Sequence, residues 1–211
     1  RARGTGTGGG FPGMGGDHPH RLADMGGCTR PCPGRALGDL DVDGVAAALD
    51  LGCGPGTLSS ALAGRLPFGA VVHGVDRSPE QIEYPYHHAT GAPATTRYTV
   101  GSMDDLPFPN ASPDHVVSSM VLHEATREAR PKAIREVARV LKPGGGFLLV
   151  DWSRPRLGLL ALVWLPFLLP GRTTSGNWNN TYARYCDDSG MDLVEDDYIN
   201  LITRRQLFRK R

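Results

Sequence analysis

The stretch Leu49-Asp-Leu-Gly-Cys-Gly-Pro-Gly56 is the most informative part of this 211-residue sequence. The mostly apolar residues 46–51 have the length and composition of a buried strand. Three glycines follow at alternate positions, where the backbone must turn sharply and approach a ligand closely, because a Cβ there would obstruct it. The stretch therefore predicts a strand that ends in a turn suited to a nucleotide-like ligand.

A second strand follows at the distance expected of a βαβ unit. Apolar residues first recur at helical spacing, at Leu58, Ala61, Leu62 and Leu66. Residues 71–75 then form another buried-looking run, which Asp76 closes. Strand, helix and strand in this order predict two parallel strands joined by a crossover helix.

The same alternation continues to residue 150. Residues 97–100 and 115–120 are predicted to be strands, and a helix is expected to begin near Pro131 and to end at Lys142-Pro-Gly144. Residues 147–150 are apolar without interruption, which suits a central parallel strand covered on both faces by helices. The expected core is an α/β sandwich.

The carboxyl-terminal residues predict a different connection. A short helix should pass through Tyr182 and Cys186 and stop at Gly190. Residues 191–195 and 198–208 are then predicted to be two strands joined by a tight turn. Such a closing hairpin would place one strand antiparallel to the rest of the sheet.

Composition restricts the partner and the compartment. The formal net charge of +1, from 23 Lys and Arg against 22 Asp and Glu, gives no general field for a polyanion, so nucleic acid is not the expected partner. Four scattered cysteines do not suit a disulfide framework, which favours a reducing, cytosol-like compartment. Cys28 and Cys32 are spaced C-x3-C with no second cysteine pair, so no metal site is expected.

The amino-terminal residues differ from the rest of the chain. Residues 1–40 contain several prolines and few apolar residues, and eleven glycines lie within residues 1–34. Such a composition buries too little apolar surface to offset the entropy lost when the backbone is ordered. We expect residues 1–40 to form a flexible arm, able to close over a ligand. Residues 41–211 are expected to form one domain.

Three segments resemble the class I S-adenosylmethionine (SAM)-dependent methyltransferases, and they occur in that family's order. They are Asp50 with Gly52-Cys-Gly-Pro-Gly56, Asp76 at the end of the second strand, and Gly101-Ser-Met-Asp-Asp-Leu-Pro-Phe-Pro109. Two further stretches follow at the family's spacing, Pro113-Asp-His-Val-Val117 and Arg139-Val-Leu-Lys-Pro-Gly-Gly-Gly146. The resemblance covers about residues 46–152.

This resemblance implies a Rossmann-like three-layer sandwich, a mostly parallel seven-stranded sheet with the last strand antiparallel, and SAM as the cofactor. The residues implied around the methionine moiety are Asp50, Gly52, Cys53, Gly54 and Gly56. Asp76 would face the ribose, and Met103 with Asp104 the adenine; Arg77 and Ser102 are further candidate cofactor-binding residues. Taken singly, Asp76 could instead cap the helix that starts at Pro79, and Met103 could fill the core.

The acceptor side is expected where the strand at residues 115–120 ends. His123 and Glu124 follow it and are the candidate catalytic residues for a direct SN2 methyl transfer to a small, apolar acceptor. Asp151-Trp-Ser-Arg-Pro155 resembles the corresponding stretch of ubiquinone and menaquinone C-methyltransferases. The apolar residues 157–169 are too short to span a bilayer, and they predict either a lid at about residues 156–180 or a helix packed on the core.

Three alternatives stay open. The basic residues 204–211 would suit a peripheral membrane contact. Tyr84-Pro-Tyr86 should break the helix that starts at Pro79, which favours a non-catalytic SAM-binding or methyltransferase-like accessory protein. An NAD-dependent oxidoreductase on a similar sheet would need a small residue where Thr57 stands and a Tyr-x-x-x-Lys pair, which the sequence lacks.

Overall fold

The computed structural model describes residues 31–83, 92–154, 177 and 179–211, which form an α/β domain. The strands within these ranges are β1 (Ala47–Leu51), β2 (Val71–Asp76), β3 (Thr95–Val100), β4 (His115–Ser119), β5 (Gly146–Trp152), β6 (Met191–Tyr198) and β7 (Thr203–Lys210). The helices are α1 (Pro33–Leu37), α2 (Thr57–Ala63), α3 (Pro79–Glu83), α4 (Ala129–Val140) and α5 (Thr181–Asp188).

The seven described strands form one sheet in the order β3-β2-β1-β4-β5-β7-β6. Strands β1 to β5 pair in parallel, whereas β7 pairs antiparallel with both β5 and β6. The predicted fold class, with its antiparallel last strand, is confirmed. Because β1 lies between β2 and β4, the carboxyl ends of these three strands meet at one edge of the sheet, where open α/β sheets bind ligands.

Alternate residues of the central strands supply two apolar layers. In β1, Leu49 and Leu51 face the cluster that contains α4 and α5, and Ala48 faces the cluster that contains α1 and α2. Helix α4 presents Ile134 and Val137 to the first cluster, on the face that helical spacing predicted. The sheet is therefore buried on both sides, as the continuous apolar run of β5 requires.

The closing hairpin turns later than predicted. Strand β6 continues to Tyr198, and β7 begins at Thr203 rather than at residue 198. The side chain of Asn200 accepts hydrogen bonds from the backbone N–H groups of Ile202 and Thr203, at 3.0 and 2.8 Å. This local Asn turn competes with strand pairing and ends it there.

The basic end of the chain is part of the sheet. Arg204 pairs with Asp196, and Arg205 Nη1 lies 2.6 Å from Glu195 Oε2. The other cations of residues 204–211, which are Arg209, Lys210 and Arg211, also donate to oxygens of this chain. These contacts weaken the case for a membrane contact there. Among the described residues, no helix is long and apolar enough to cross a membrane.

The end of the predicted arm differs from expectation. Residues 33–37 form α1, and the side chains of Ala36, Leu37 and Leu40 lie in the core with at most 6% of their surface exposed. Arg65 donates to the carbonyl oxygen of Gly38 at 2.6 Å and fixes the end of α1 to α2. The domain therefore extends to Pro33 at least, because this short helix buries apolar surface that composition alone did not reveal.

Several predictions fall on residues that the structure does not describe. They are residues 1–30 of the arm, the break at Tyr84-Pro-Tyr86, and the lid at about residues 156–180 apart from Asn177, Asn179 and Asn180.

Replacing Leu37 by Ala tests whether α1 belongs to the folded domain. Leu37 is fully buried, so we expect the free energy of unfolding to fall by about 2–4 kcal/mol in chemical denaturation. Leu201→Ala is the matched control, because 58% of Leu201 is exposed and the change should stay within about 0.5 kcal/mol. Equal, small effects of both substitutions would contradict the placement of α1 in the core.

Candidate functional site

A cavity of about 690 Å³ opens at the carboxyl ends of β1, β2 and β4. Its floor is the turn after β1, and its walls come from the ends of β2 and β3 on one side and of β4 on the other. Nine predicted cofactor residues line it: Asp50, Gly52, Cys53, Gly54, Asp76, Arg77, Ser102, Met103 and Asp104. Gly56, the tenth, lies just outside this lining and is the N-cap residue of α2.

The turn after β1 requires glycine at particular positions. Gly52 has φ +68°, and a Cβ there would lie 2.5 Å from the methyl groups of Val121, beyond the end of β4. Gly56 has φ +82°, and a Cβ there would overlap the ring of Tyr98 on β3. Both glycines therefore serve a left-handed backbone and a close approach, which no other residue type allows without strain.

Asp76 fixes the cavity floor. Its Oδ2 accepts a hydrogen bond from Gly54 N at 2.9 Å, and its Oδ1 accepts one from Ser78 N at 3.0 Å. The hydroxyl of Ser78, at 3.4 Å, accepts from Gln81 N in the first turn of α3, so the capping contact comes from Ser78. The half-buried carboxylate lines the cavity and keeps further lone pairs for ligand hydroxyl groups.

Asp50 is a buried carboxyl group beneath the turn. Ser59 Oγ of α2 donates to Asp50 Oδ2 at 2.6 Å. Burial raises the pKa of Asp50 from 3.8 to about 7, although the hydrogen bond from Ser59 opposes this shift. Burial also raises the pKa of the neighbouring Cys53 thiol, which therefore stays protonated.

The wall on the β3 side combines an apolar and a polar surface. Met103 is half-buried and packs against the core, yet it also lines the cavity. Ser102 donates a hydrogen bond from its hydroxyl to Asp104 Oδ1, which orients that carboxylate. Arg77 is exposed and lies on the same side of the cavity. Met103 therefore packs against the core and also faces the cavity, so the two interpretations of this residue are compatible.

The opposite wall consists of the β4 loop, which we define as residues 120–126. Met120 begins it with φ +59°, an unfavourable conformation for a residue with a side chain. Met120, Val121 and Ala125 give this wall an apolar surface, and Glu124, whose side chain is 62% exposed, adds a carboxylate. Strain at the start of the loop is a feature that often accompanies functional sites.

His123 lies behind this wall and does not line the cavity. Its ring stacks on Trp152, with the ring centroids 4.4 Å apart, and its Nδ1 lies 2.7 Å from Asp151 Oδ1. Its Nε2 lies 3.9 Å from Glu124 Oε1. The two predicted catalytic residues are thus adjacent, but of the two only Glu124 faces the cavity.

Sequence reasoning missed two contributions to this site. Asp151, the penultimate residue of β5, contacts His123; this residue belongs to the stretch 151–155, whose family resemblance gave it no role in the site. The cavity is also lined by residues of α1 and of the segment just before it, namely Pro31, Pro33 and Ala36. The glycine-rich composition of the arm gave no indication of this role. Among the described residues, no cluster of three His, Cys, Asp or Glu side chains could hold a metal ion.

Known proteins resemble this chain in sequence and in fold. Residues 48–145 match the family model of a methyltransferase domain. An uncharacterised methyltransferase of Synechocystis sp. is 42% identical over 107 residues, which are 51% of this chain and 47% of that protein. A ubiquinone biosynthesis O-methyltransferase of Xanthomonas oryzae is 37% identical over 139 residues, which are 64% and 56% of the two chains. This chain therefore spans about half the length of these curated relatives.

The fold also occurs in solved structures. The magnesium protoporphyrin IX methyltransferase of Synechocystis, with bound S-adenosylhomocysteine (SAH), superposes with a TM-score of 0.64 at 21% identity. The superposition covers 85% of this chain and 80% of that one.

Three features define a Rossmann-like domain: the order of the strands, the glycine turn after β1 and the carboxylate of Asp76 at the end of β2. Together with the sequence matches, they show that residues 48–145 resemble the domain of the SAM-dependent methyltransferases. The cofactor of those enzymes is SAM. The predicted resemblance is therefore confirmed over this part of the chain.

The residues of the cavity fit this cofactor. A Cβ on Gly54 would meet only the Gln81 side chain, at 3.8 Å, so the turn is open to a ligand that approaches its backbone. Asp76 offers acceptors for ribose hydroxyl groups, and Met103 offers an apolar surface for a purine.

The pH dependence of stability tests the buried state of Asp50. The folded chain binds this proton more tightly than the unfolded chain, so the Asp50 contribution to stability falls as pH rises from about 4 to about 7. Relative to Asp50→Asn, the wild-type free energy of unfolding should drop by on the order of 2–4 kcal/mol across this window. The measurement is urea denaturation at several pH values.

Asp197→Asn provides the control, since Asp197 is exposed on β6. Its denaturation curves should follow the wild type at every pH. If the Asp50→Asn curves also follow the wild type, the carboxyl group of Asp50 is not buried as described.

Proposed function

We propose that this protein transfers a methyl group from SAM to a small, largely apolar acceptor by direct SN2 displacement. One observation carries the proposal. The cofactor residues of the family and an apolar wall that contains the carboxylate of Glu124 face each other across a single cavity. Reactants held on opposite sides of one cavity can be aligned for an in-line transfer.

The chain positions the cofactor through backbone and carboxylate groups. The turn at residues 52–56 and Asp50 would hold the methionine end, Asp76 the ribose, and Met103 with Asp104 the adenine. When bound, SAM supplies an electrophilic methyl group on a sulfonium, and its transfer leaves SAH. The remaining work of the protein is to align the acceptor, to exclude water and to take up any proton that the acceptor releases.

Glu124 is the proposed proton acceptor, with His123 behind it. Glu124 lines the cavity, and its Oε1 lies 3.9 Å from His123 Nε2, so a proton taken up by the carboxylate can pass on to the neutral imidazole. A proton that leaves an acceptor hydroxyl, amine or carbon acid would pass to this pair.

The acceptor is proposed to be apolar because of the cavity lining. Pro33 and Ala36 from α1, and Met120 and Val121 from the β4 loop, present carbon atoms to the cavity. The relative from ubiquinone biosynthesis supports quinone-like and phenolic compounds as the first acceptors to test. Sterol-like compounds complete the panel.

Cofactor binding is tested with Asp76→Ala. Isothermal titration calorimetry should show that the wild type binds SAM and not NADH, and that the substitution weakens SAM binding by about 1.5–3 kcal/mol, or about 10- to 150-fold. The change removes both the ribose acceptor and the contact with Gly54 N. Asp197→Ala, on the far edge of the sheet, should bind SAM as the wild type does.

Catalysis is tested with Glu124→Gln and His123→Gln. With an acceptor found by SAH release from the panel, we expect kcat to fall by at least tenfold in both variants, while SAM affinity stays within about threefold. Glu128→Gln is the matched control, because Glu128 is exposed nearby and does not line the cavity. Wild-type SAM binding without turnover of any acceptor would favour the accessory protein instead.

A further inference from the structure

Asp151 is a buried carboxylate whose hydrogen-bond partners, among the described residues, are His123 and Trp152. It lies at the end of β5, with 1% of its surface exposed. Its Oδ2 accepts the backbone N–H of His123 at 3.0 Å. Its Oδ1 accepts the backbone N–H of Trp152 at 2.7 Å and lies at the same distance from His123 Nδ1.

These contacts define which ring nitrogen of His123 carries hydrogen. An ionised carboxylate only accepts hydrogen bonds, and the carboxylate of Asp151 already accepts two from backbone N–H groups. Nδ1 must therefore donate to Asp151. In the neutral ring, Nε2 then carries a free lone pair on the side where Glu124 Oε1 lies 3.9 Å away.

We propose that Asp151 is a positioning residue that fixes the orientation and the tautomer of His123, so that Nε2 faces Glu124 as a proton acceptor. This inference rests on the proposed methyl transfer, in which Glu124 and His123 take up the acceptor proton. Asp151 itself lies behind the wall and touches neither the cavity nor a ligand within it. Its effect on the reaction passes through the imidazole.

Trp152 also restricts the orientation of the His123 ring, because the two rings stack. The indole and the imidazole are nearly parallel, with an angle of 24° between their planes and 4.4 Å between their centroids. His123 is 9% exposed, so the ring has little freedom to rotate away from Asp151. The hydrogen bond to Asp151 and the stacking contact together leave one orientation of the two nitrogens.

Arg130 anchors the same loop in a different way. Its Nε donates to the carbonyl oxygens of Leu122 and Ala125, at 2.9 and 3.1 Å, and its Nη2 donates to that of His123 at 2.9 Å. These contacts hold backbone groups and leave the imidazole nitrogens untouched. Variants of Arg130 therefore test the structure of the loop, whereas variants of Asp151 test the protonation of the His123 ring.

The first test is proton NMR of the full chain in the presence of SAH. The wild type should show a downfield, exchange-protected resonance from the Nδ1 proton of His123, because that proton is buried in a short hydrogen bond. His123→Gln should abolish the resonance and so assign it. Absence of the resonance from the wild type would overturn the proposal without the need of any Asp151 variant.

The second test compares Asp151→Asn with Arg130→Met. An amide has one acceptor oxygen for three N–H donors, so Asp151→Asn should remove or shift the Nδ1 proton resonance, whereas Arg130→Met should keep it. Retention of an unshifted resonance in Asp151→Asn would overturn the proposal. SAH affinity, measured by calorimetry, should stay within about threefold of the wild type in Asp151→Asn.

Kinetics with an acceptor from the panel give the third test. Asp151→Asn should lower kcat at least tenfold with little change in the KM for SAM and should alter the pH profile of kcat. Arg130→Lys should restore most of any activity that Arg130→Met loses, with the wild-type pH profile. A wild-type pH profile and kcat in Asp151→Asn would overturn the positioning role, whereas failure of the wild type to bind SAH would instead overturn the proposed function.

Discussion

The whole site depends on one carbonyl group at the end of β2. Val75 O accepts hydrogen bonds from both Gly52 N and Cys53 N, at 2.7 and 3.0 Å, and so ties the turn after β1 to the neighbouring strand. Asp76, the next residue, then accepts from Gly54 N. The same short segment that ends β2 therefore shapes the cavity floor and presents the carboxylate that we propose for the ribose. A nucleotide site of this kind needs no separate scaffold, because parallel strands already bring these groups to one edge.

The turn that forms the cavity floor and the β4 loop that forms the opposite wall are also in contact. The Val121 side chain occupies the space that a Cβ on Gly52 would need, so the turn and the β4 loop pack closely against each other. The loop is held from behind by Asp151 of β5 and Arg130 of α4. Atoms from β1, β4, β5 and α4 thus fix the relative placement of the two halves of the cavity, as catalysis by alignment requires.

Sequence patterns predicted the parts of this molecule that repeat or that carry a strict steric demand. Apolar runs predicted the strands β1, β2, β4 and β5, and the spacing of the glycines predicted the turn at residues 52–56. Contacts between residues far apart in the chain could not be predicted in this way. The pairing of His123 with Asp151 joins positions 28 residues apart, and α1 is too short and too glycine-flanked to show helical periodicity. Its burial depends on tertiary contacts with α2 rather than on helix propensity.

The order of the last strands has a consequence for folding. Strand β6 precedes β7 in the chain, yet it reaches the sheet only through β7, which lies between β5 and β6. Strand β6 therefore joins the sheet only when the hairpin of β6 and β7 docks on β5, across about fifty intervening residues. At the end of the sheet order, β6 keeps one open row of backbone groups beside the exposed apolar side chains of Leu193 and Val194, which are available to other chains. The acidic residues Asp192, Glu195, Asp196 and Asp197 on the same strand repel such pairing between copies.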